Sequence, residues 1–200
     1  MEIKNPKVLE DIAGARPLRV NIGCGRRHRA GFYGLDLLPL PEVDIQADLN
    51  QPLDKLPDNS VAEVMTEHTL EHIVNFIPLL SELHRVVQPG GTIKITVPHF
   101  SSPLAYSDPT HVRFFGLYTM FYFADQDHAY RRKVLNFYTS IRFKVLRIHL
   151  KFSRAGFDKI LGGPKEWMFN LNPRWQALFE RHFCWISPAE EIIYTLTPVK

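Results

Sequence analysis

Apolar and polar positions along the chain follow two different periods. Residues Pro6–Ala13 place Val8, Leu9 and Ile12 on one face of a short amphipathic helix. Residues 75–87 repeat the pattern at greater length, with Phe76, Leu79, Leu80, Leu83 and Val87 on one stripe. Pro78 falls in the first turn of that helix, where a missing N–H costs little, and His84 and Arg85 read as surface residues on its far side. Between and after these helices come short apolar runs that read as buried strands, at Leu18–Ile22, 32–37, 43–47, 61–66 and 92–97, with a polar loop at 50–60. Further on, 117–123 predicts an aromatic-rich helix, and Arg142–Lys151 alternates apolar and basic residues as a half-buried strand does. The alternation slips at Val145-Leu146, which predicts a bulge. Gly162, Gly163 and Pro164 predict a break, 173–183 a second aromatic helix, and 190–196 a last strand. Short strands interleaved with helical stretches read as an α/β chain.

Composition narrows the class. Two hundred residues with 45% apolar content can bury a core without disulfide or metal staples, so one domain over 1–200 is expected. The two cysteines, Cys24 and Cys184, sit in unrelated contexts and form no disulfide framework. No apolar run is long enough to span a bilayer and no signal core precedes the first strand, so a cytoplasmic protein without integral membrane association is expected. The net charge of +3 points neither toward nor away from nucleic acid.

The chemistry begins at the end of the first predicted strand, in L-R-V-N-I-G-C-G from Leu18 to Gly25. Gly23 and Gly25 give a tight turn whose backbone a ligand can approach without a Cβ in the way. In an open α/β sheet this junction is where a nucleotide-like cofactor sits. A dinucleotide fingerprint would place a third glycine where His28 stands and an acidic residue roughly 20 positions on, whereas the strand-ending Asp36 comes much earlier. That argues against a nicotinamide or flavin cofactor.

Five features in fixed order resemble instead the class I S-adenosylmethionine-dependent methyltransferases, more narrowly the type 11 group, many of whose members act on small molecules or glycans. They are the glycine loop, the acidic end of the second strand at Asp36, the pair Asp48-Leu49 after the third strand, the E-H-T-L-E-H start after the fourth, and the P-G-G turn before the fifth. The resemblance implies S-adenosylmethionine as cofactor, with S-adenosylhomocysteine as product. It further implies that Asn21, Gly23, Cys24 and Gly25 wrap the methionine part, Asp36 holds the ribose hydroxyls and Asp48 and Leu49 lie against the adenine. Glu67 and His68 would then lie near the sulfonium end, while Glu71 and His72 serve the start of the following helix. It implies a doubly wound, Rossmann-like, seven-strand and mostly parallel sheet in three α/β/α layers whose last strand is antiparallel, with a cofactor half at about 15–98 and a substrate side at about 99–200. The chain departs from the family loop at two positions. Asn21 stands where an acidic residue is usual, and Arg27 where a third glycine is usual. The stretch 26–32 is also too short for the usual first crossover helix, which predicts a basic, solvated loop of Arg26, Arg27, His28 and Arg29.

The segment 98–116, P-H-F-S-S-P-L-A-Y-S-D-P-T-H-V-R-F-F-G, leaves the fifth strand at its carboxyl end and would lie over the transferable methyl group. His111 and His99 are candidate general bases, since an imidazole near pH 7 can take a proton from a hydroxyl. Asp108 before Pro109 also makes a helix N-cap. His99, Asp108 and His111 carry metal-ligand atoms, but no further neutral ligand or cysteine accompanies them, and no metal is expected. From 128 to 157 there is no Asp or Glu, while Arg131, Arg132, Lys133, Arg142, Lys144, Arg147, Lys151 and Arg154 all occur. This stretch is a solvated basic face or a patch receptive to phosphate or carboxylate on a substrate, or to an anionic membrane surface. The acceptor expected is a small molecule or saccharide, methylated at oxygen. The alternatives are a catalytically silent methyltransferase-fold binding module and an RNA methyltransferase, although no RNA-binding module accompanies the basic stretch.

Overall fold

The computed structural model describes residues 1–125, 134, 137–156 and 158–200. Strands β1 (Glu2–Ile3), β2 (Leu18–Ile22), β3 (Tyr33–Asp36), β4 (Ile45–Gln46), β5 (Val61–Glu67), β6 (Val87–Pro98), β7 (Arg142–Lys151) and β8 (Glu191–Val199) form one sheet in the order β1-β4-β3-β2-β5-β6-β8-β7. The five strands from β4 to β6 are parallel, and β8 runs antiparallel between β6 and β7. Among the described residues the sheet has eight strands rather than seven. The addition is β1, whose two residues pair antiparallel with Gln46 and Ile45, too short a run to leave a periodic signal. The predicted slip in β7 is a register shift between Val145 and Arg147.

Strands β3 and β4 lie to one side of β2, and β5 and β6 to the other. The chain therefore changes its direction of progress between β2 and β5, and such a switch point opens a crevice outside the carboxyl ends of the strands. Ile22 is paired with Leu35 on one side and with Thr66 on the other. The loops that follow β2, β3 and β5 thus emerge side by side at that crevice.

Helices flank the sheet. In α1 (Pro6–Ala13) the Asn5 side chain accepts the Lys7 N–H at 3.0 Å and Pro6 occupies the first helical position, which starts the helix; Val8 buries its face. In α2 (Phe76–Val86) the stripe Phe76, Leu79, Leu80, Leu83 and Val86 is buried, each large side chain contributing about 1.5–3 kcal/mol. Arg85 is more than a surface residue. Its guanidinium donates to the Leu53 and Leu56 carbonyls at 3.1 and 2.9 Å, to Asp58 at 2.7 Å and to Glu82 at 2.7 Å, fastening the 50–60 loop to α2.

A short α3 (Leu104–Ser107) and a 3-10 turn (Thr119–Phe123) follow β6. The turn buries Met120, Phe121 and Phe123, so the aromatic stretch is a tighter, shorter helix than predicted. The Gly-Gly-Pro sequence does not break the chain: α4 (Asp158–Phe169) runs through it. Gly162 is needed there because a Cβ would stand 2.2 Å from the Ser153 carbonyl oxygen, so the helix backbone lies directly on that loop. The last aromatic stretch is α5 (Pro173–Leu178) continued by a wider π turn, Phe179–Phe183. No helix among the described residues is long and apolar enough to cross a membrane.

Candidate active site

The loop after β2 is shaped by its glycines. Gly23 has φ +66°, and a Cβ there would stand 2.0 Å from Thr69 Oγ1 and 2.8 Å from Thr69 Cβ. Only a glycine lets the loop pass so close to the connection after β5. Gly25, at φ +52°, has nothing among the described residues within 4 Å of its Cβ position, which leaves the crest of the loop open to them. Its N–H donates to Asp36 Oδ2 at 2.8 Å, and the Leu38 N–H donates to Oδ1 at 3.0 Å. Asp36 therefore joins the two loops and keeps a second lone pair on each oxygen. Asn21 lies beneath the loop, 7% exposed, its amide nitrogen 3.5 Å from the Arg27 carbonyl. Cys24 turns its thiol inward, so close to Gly34 that a Cβ on that residue would sit 2.9 Å from the sulfur. Burial pushes the thiol up to about 11, so it is neutral and only its backbone faces the loop.

Asp48 Oδ1 accepts the Asn50 N–H at 2.9 Å and closes a turn after β4. Leu49 belongs to the core, so this segment can offer a purine its backbone and not a leucine surface. Beyond β5, Glu67 accepts from Arg27 and Arg29, each at 3.1 Å. Two residues of the basic loop expected to be solvated thus strap the glycine loop to β5. His68 sits at φ +53° with Nε2 2.9 Å from Glu191 Oε1. The bond to Glu191, helped by Glu71 and opposed by burial, pushes the imidazole up to about 9. The same pairing with His68, supported by Lys151, holds the Glu191 carboxyl at about 2 against the effect of burial. Glu67 and His68 are both engaged in ion pairs at the edge of the crevice.

A 3-10 turn, Leu70–His72, follows. Glu71 does not take part in bonding at a helix start. Its side chain is 1% exposed, its Oε1 lies 3.6 Å from His68 Nδ1, and among the described residues neither carboxylate oxygen has a hydrogen-bond partner.

The segment 98–116 separates the two candidate bases. His99 is completely buried. Its Nδ1 accepts the Ser101 N–H at 3.2 Å and lies 2.7 Å from the Ser101 hydroxyl, so Nε2 carries the proton, directed at Glu180 Oε2 at 3.4 Å. With no lone pair free for an acceptor's proton, His99 is a buried structural residue, which corrects its place among the bases. The His111 side chain is 8% exposed. Its Nδ1 donates to the Ala105 carbonyl at 3.0 Å, leaving the lone pair on Nε2. Asp108 accepts the Thr110 N–H and hydroxyl at 2.8 and 2.6 Å, so it caps a turn and no helix follows.

An open cleft of about 260 Å³ lies beside this segment, walled by Phe100, Phe114, Tyr118, Tyr122 and Glu180. Another, of about 350 Å³, is lined by Leu18, Arg19 and Tyr33, at the opposite ends of β2 and β3. Of the basic stretch, Arg131, Arg132 and Lys133 lie outside the described residues. Lys151 pairs with Glu191 at 2.8 Å, Arg154 with Glu166 at 3.5 Å, and Arg142 donates to the Thr139 and Ile141 carbonyls. Lys144 and Arg147 are exposed on β7, the edge strand, where charge discourages pairing with another sheet.

This sheet order, with the antiparallel β8 between β6 and β7, is that of a Rossmann-like methyltransferase fold. Solved structures share it. A SAM dependent methyltransferase from Archaeoglobus fulgidus superposes with a TM-score of 0.56 at 16% identity, over 96% of this chain and 91% of that one. An S-adenosylmethionine dependent methyltransferase from Mesorhizobium loti gives 0.50 at 14% identity, over 94% and 97%. The [4+2]-cyclase SpnF gives 0.52 at 17% identity, over 96% and 81%, so the fold by itself does not name the reaction. No curated protein matches the sequence. Residues 21–95 match the type 11 family model described as "Methyltransferase domain". That match and the shared fold make the chain similar to the class I S-adenosylmethionine-dependent methyltransferases of the type 11-like group, and the cofactor this likeness implies is S-adenosylmethionine.

The residues present fit that cofactor. The open crest at Gly25 admits a ligand against the backbone, and the spare lone pairs of Asp36 suit a pair of ribose hydroxyls. Asn21 offers an amide oxygen where the family more often has a carboxylate, a weaker acceptor for an ammonium.

Proposed function

We propose that the enzyme methylates an oxygen of a small-molecule or saccharide acceptor. The observation that carries this reading is the aromatic cleft beside the carboxyl end of β6, whose roughly 260 Å³ is at the small end for ligand sites. Phe100, Phe114, Tyr118 and Tyr122 present flat apolar faces for a ring, and Glu180 supplies an acceptor for a hydroxyl. When bound, S-adenosylmethionine supplies an electrophilic methyl group and leaves as S-adenosylhomocysteine.

In this reading the chain contributes mainly alignment. Asn21, Gly23, Cys24, Gly25, Asp36, Asp48 and Leu49 seat the donor, Leu49 and Cys24 through backbone. Glu67 braces the loop around it through Arg27 and Arg29, and His68 beside it is held by Glu191. The cleft sets the acceptor hydroxyl in line, a contribution that can exceed any acid–base assistance. His111, with its lone pair on Nε2, is the candidate for receiving the hydroxyl proton. The two cysteines are buried and unpaired, which suits a reducing, cytoplasmic setting.

The test is transfer of a labelled methyl group from S-adenosylmethionine to a panel of monosaccharides, sugar phosphates and phenols, with total RNA alongside. Label in a hydroxyl-bearing small molecule, reduced at least tenfold by Phe114→Ala, supports the reading. Label in RNA alone, or in no acceptor, overturns it.

A further inference from the structure

Glu71, His72 and His111 come together at the carboxyl edge of the sheet, from the 3-10 turn after β5 and from the segment after β6. One oxygen of Glu71 and one nitrogen of each ring all lie within 4.8 Å of one another. The two segments are tied by the Val112 N–H, which donates to the Glu71 carbonyl at 2.9 Å.

The protonation pattern is decided by the surrounding bonds. Thr110 gives its single hydroxyl proton to Asp108 at 2.6 Å, so at 2.8 Å it must accept from Nδ1 of His72. Nδ1 of His111 faces the Ala105 carbonyl, which can only accept. Both neutral rings therefore carry their lone pair on Nε2. Each ring is also oriented by its other nitrogen, as ligating histidines are.

Glu71 is the anomaly that this arrangement explains. A carboxylate 99% buried without a hydrogen bond is costly unless a cation compensates it. His68, held cationic mainly by Glu191, pairs with Oε1 at 3.6 Å and offsets part of that cost, and His111 Nε2 lies 4.0 Å from the same oxygen.

We propose that Glu71, His72 and His111 bind one divalent metal ion of the zinc class. Two imidazoles and one carboxylate form a donor set that Zn²⁺ accepts, with positions left open for water or an oxygen of the acceptor. Bonds of about 2.0–2.1 Å at a tetrahedral angle put ligand atoms about 3.4 Å apart, so the Glu71–His111 pair closes by roughly half an ångström on binding. The inference rests on the reading above and amends it, since Nε2 of His111 would then hold the ion and no longer take the hydroxyl proton, and the ion would instead lower the pKa of an acceptor hydroxyl bound to it.

The experiment titrates the metal-free 200-residue chain with Zn²⁺ against a chromophoric chelator, and with Co²⁺ followed by its visible absorption. The expected result is one equivalent bound, weakened at least 100-fold in His111→Gln and in Glu71→Gln, and unchanged in His182→Gln, which alters an exposed histidine elsewhere. His72→Gln, at a half-exposed ring, serves if Glu71→Gln does not fold. No binding at one equivalent, or binding that survives both His72→Gln and His111→Gln, overturns the proposal. The readout needs no turnover, so its failure is separate from failure of the acceptor assignment.

Discussion

The backbone N–H of Gly25 donates to Oδ2 of Asp36 at 2.8 Å, joining the loop after β2 to the end of β3. The carboxylate thus shapes the donor site as well as facing it. The two loop glycines differ in what they tolerate. A methyl group on Gly23 meets the Cβ of Thr69 at 2.8 Å as well as its hydroxyl, and rotation of the threonine cannot relieve that. Gly25→Ala meets only the cost of a left-handed backbone, about 1 kcal/mol. Calorimetry should find S-adenosylmethionine affinity reduced much more in Gly23→Ala than in Gly25→Ala. Equal effects would mean that the loop does not pass Thr69 as closely as described.

The two glycines of α4 should respond with opposite signs. Gly162→Ala drives a Cβ into the Ser153 carbonyl and should destabilise by about 1–3 kcal/mol. At Gly163 nothing lies within 4 Å of the Cβ position, so Gly163→Ala should stabilise by roughly 0.5–1 kcal/mol through helix propensity. Urea denaturation of the two variants checks both, and a shared sign would contradict the path of the helix.

Arg85 should matter far more than an exposed arginine. Removing it strands the Leu53 and Leu56 carbonyls and two carboxylates, so Arg85→Met should cost about 2–3 kcal/mol. The pH dependence has a definite sign. The bond to Arg85 holds the Glu82 carboxyl below its usual 4.5. Its stabilising contribution is present above about pH 4.5 and is lost as the pH falls through the depressed value. Denaturation midpoints at pH 7 and pH 3.5 should converge in Glu82→Gln relative to the parent chain, and an unchanged difference would count against the clamp.

Much of this architecture is legible from local pattern. The stripe of α2, the run at β2 and the slipped alternation in β7 each follow from one continuous stretch. The same is true of the glycine loop and of Asp36, since a strand that stops at G-x-G announces its turn. What local pattern misses is decided by contact between distant segments. Gly162 and Pro164 look like a break because propensity ignores the Ser153 backbone that Gly162 lies against. The role of Arg85 depends on carbonyls 29 and 32 residues away. His99 and His111 look alike as sequence, and only Ser101, Glu180 and Ala105 separate a buried structural residue from one that keeps a lone pair on Nε2. The grouping of Glu71 and His72 with His111, where no metal is expected from spacing, joins residues 39 or more positions apart.

The most direct test of the donor site is calorimetric titration of the purified chain with S-adenosylmethionine and with S-adenosylhomocysteine, beside Asp36→Ala. The account predicts binding of both ligands at one per chain, weakened at least tenfold, about 1.4 kcal/mol, in the variant. Folded protein that binds neither ligand, or binds both as well without the Asp36 carboxylate, would contradict it.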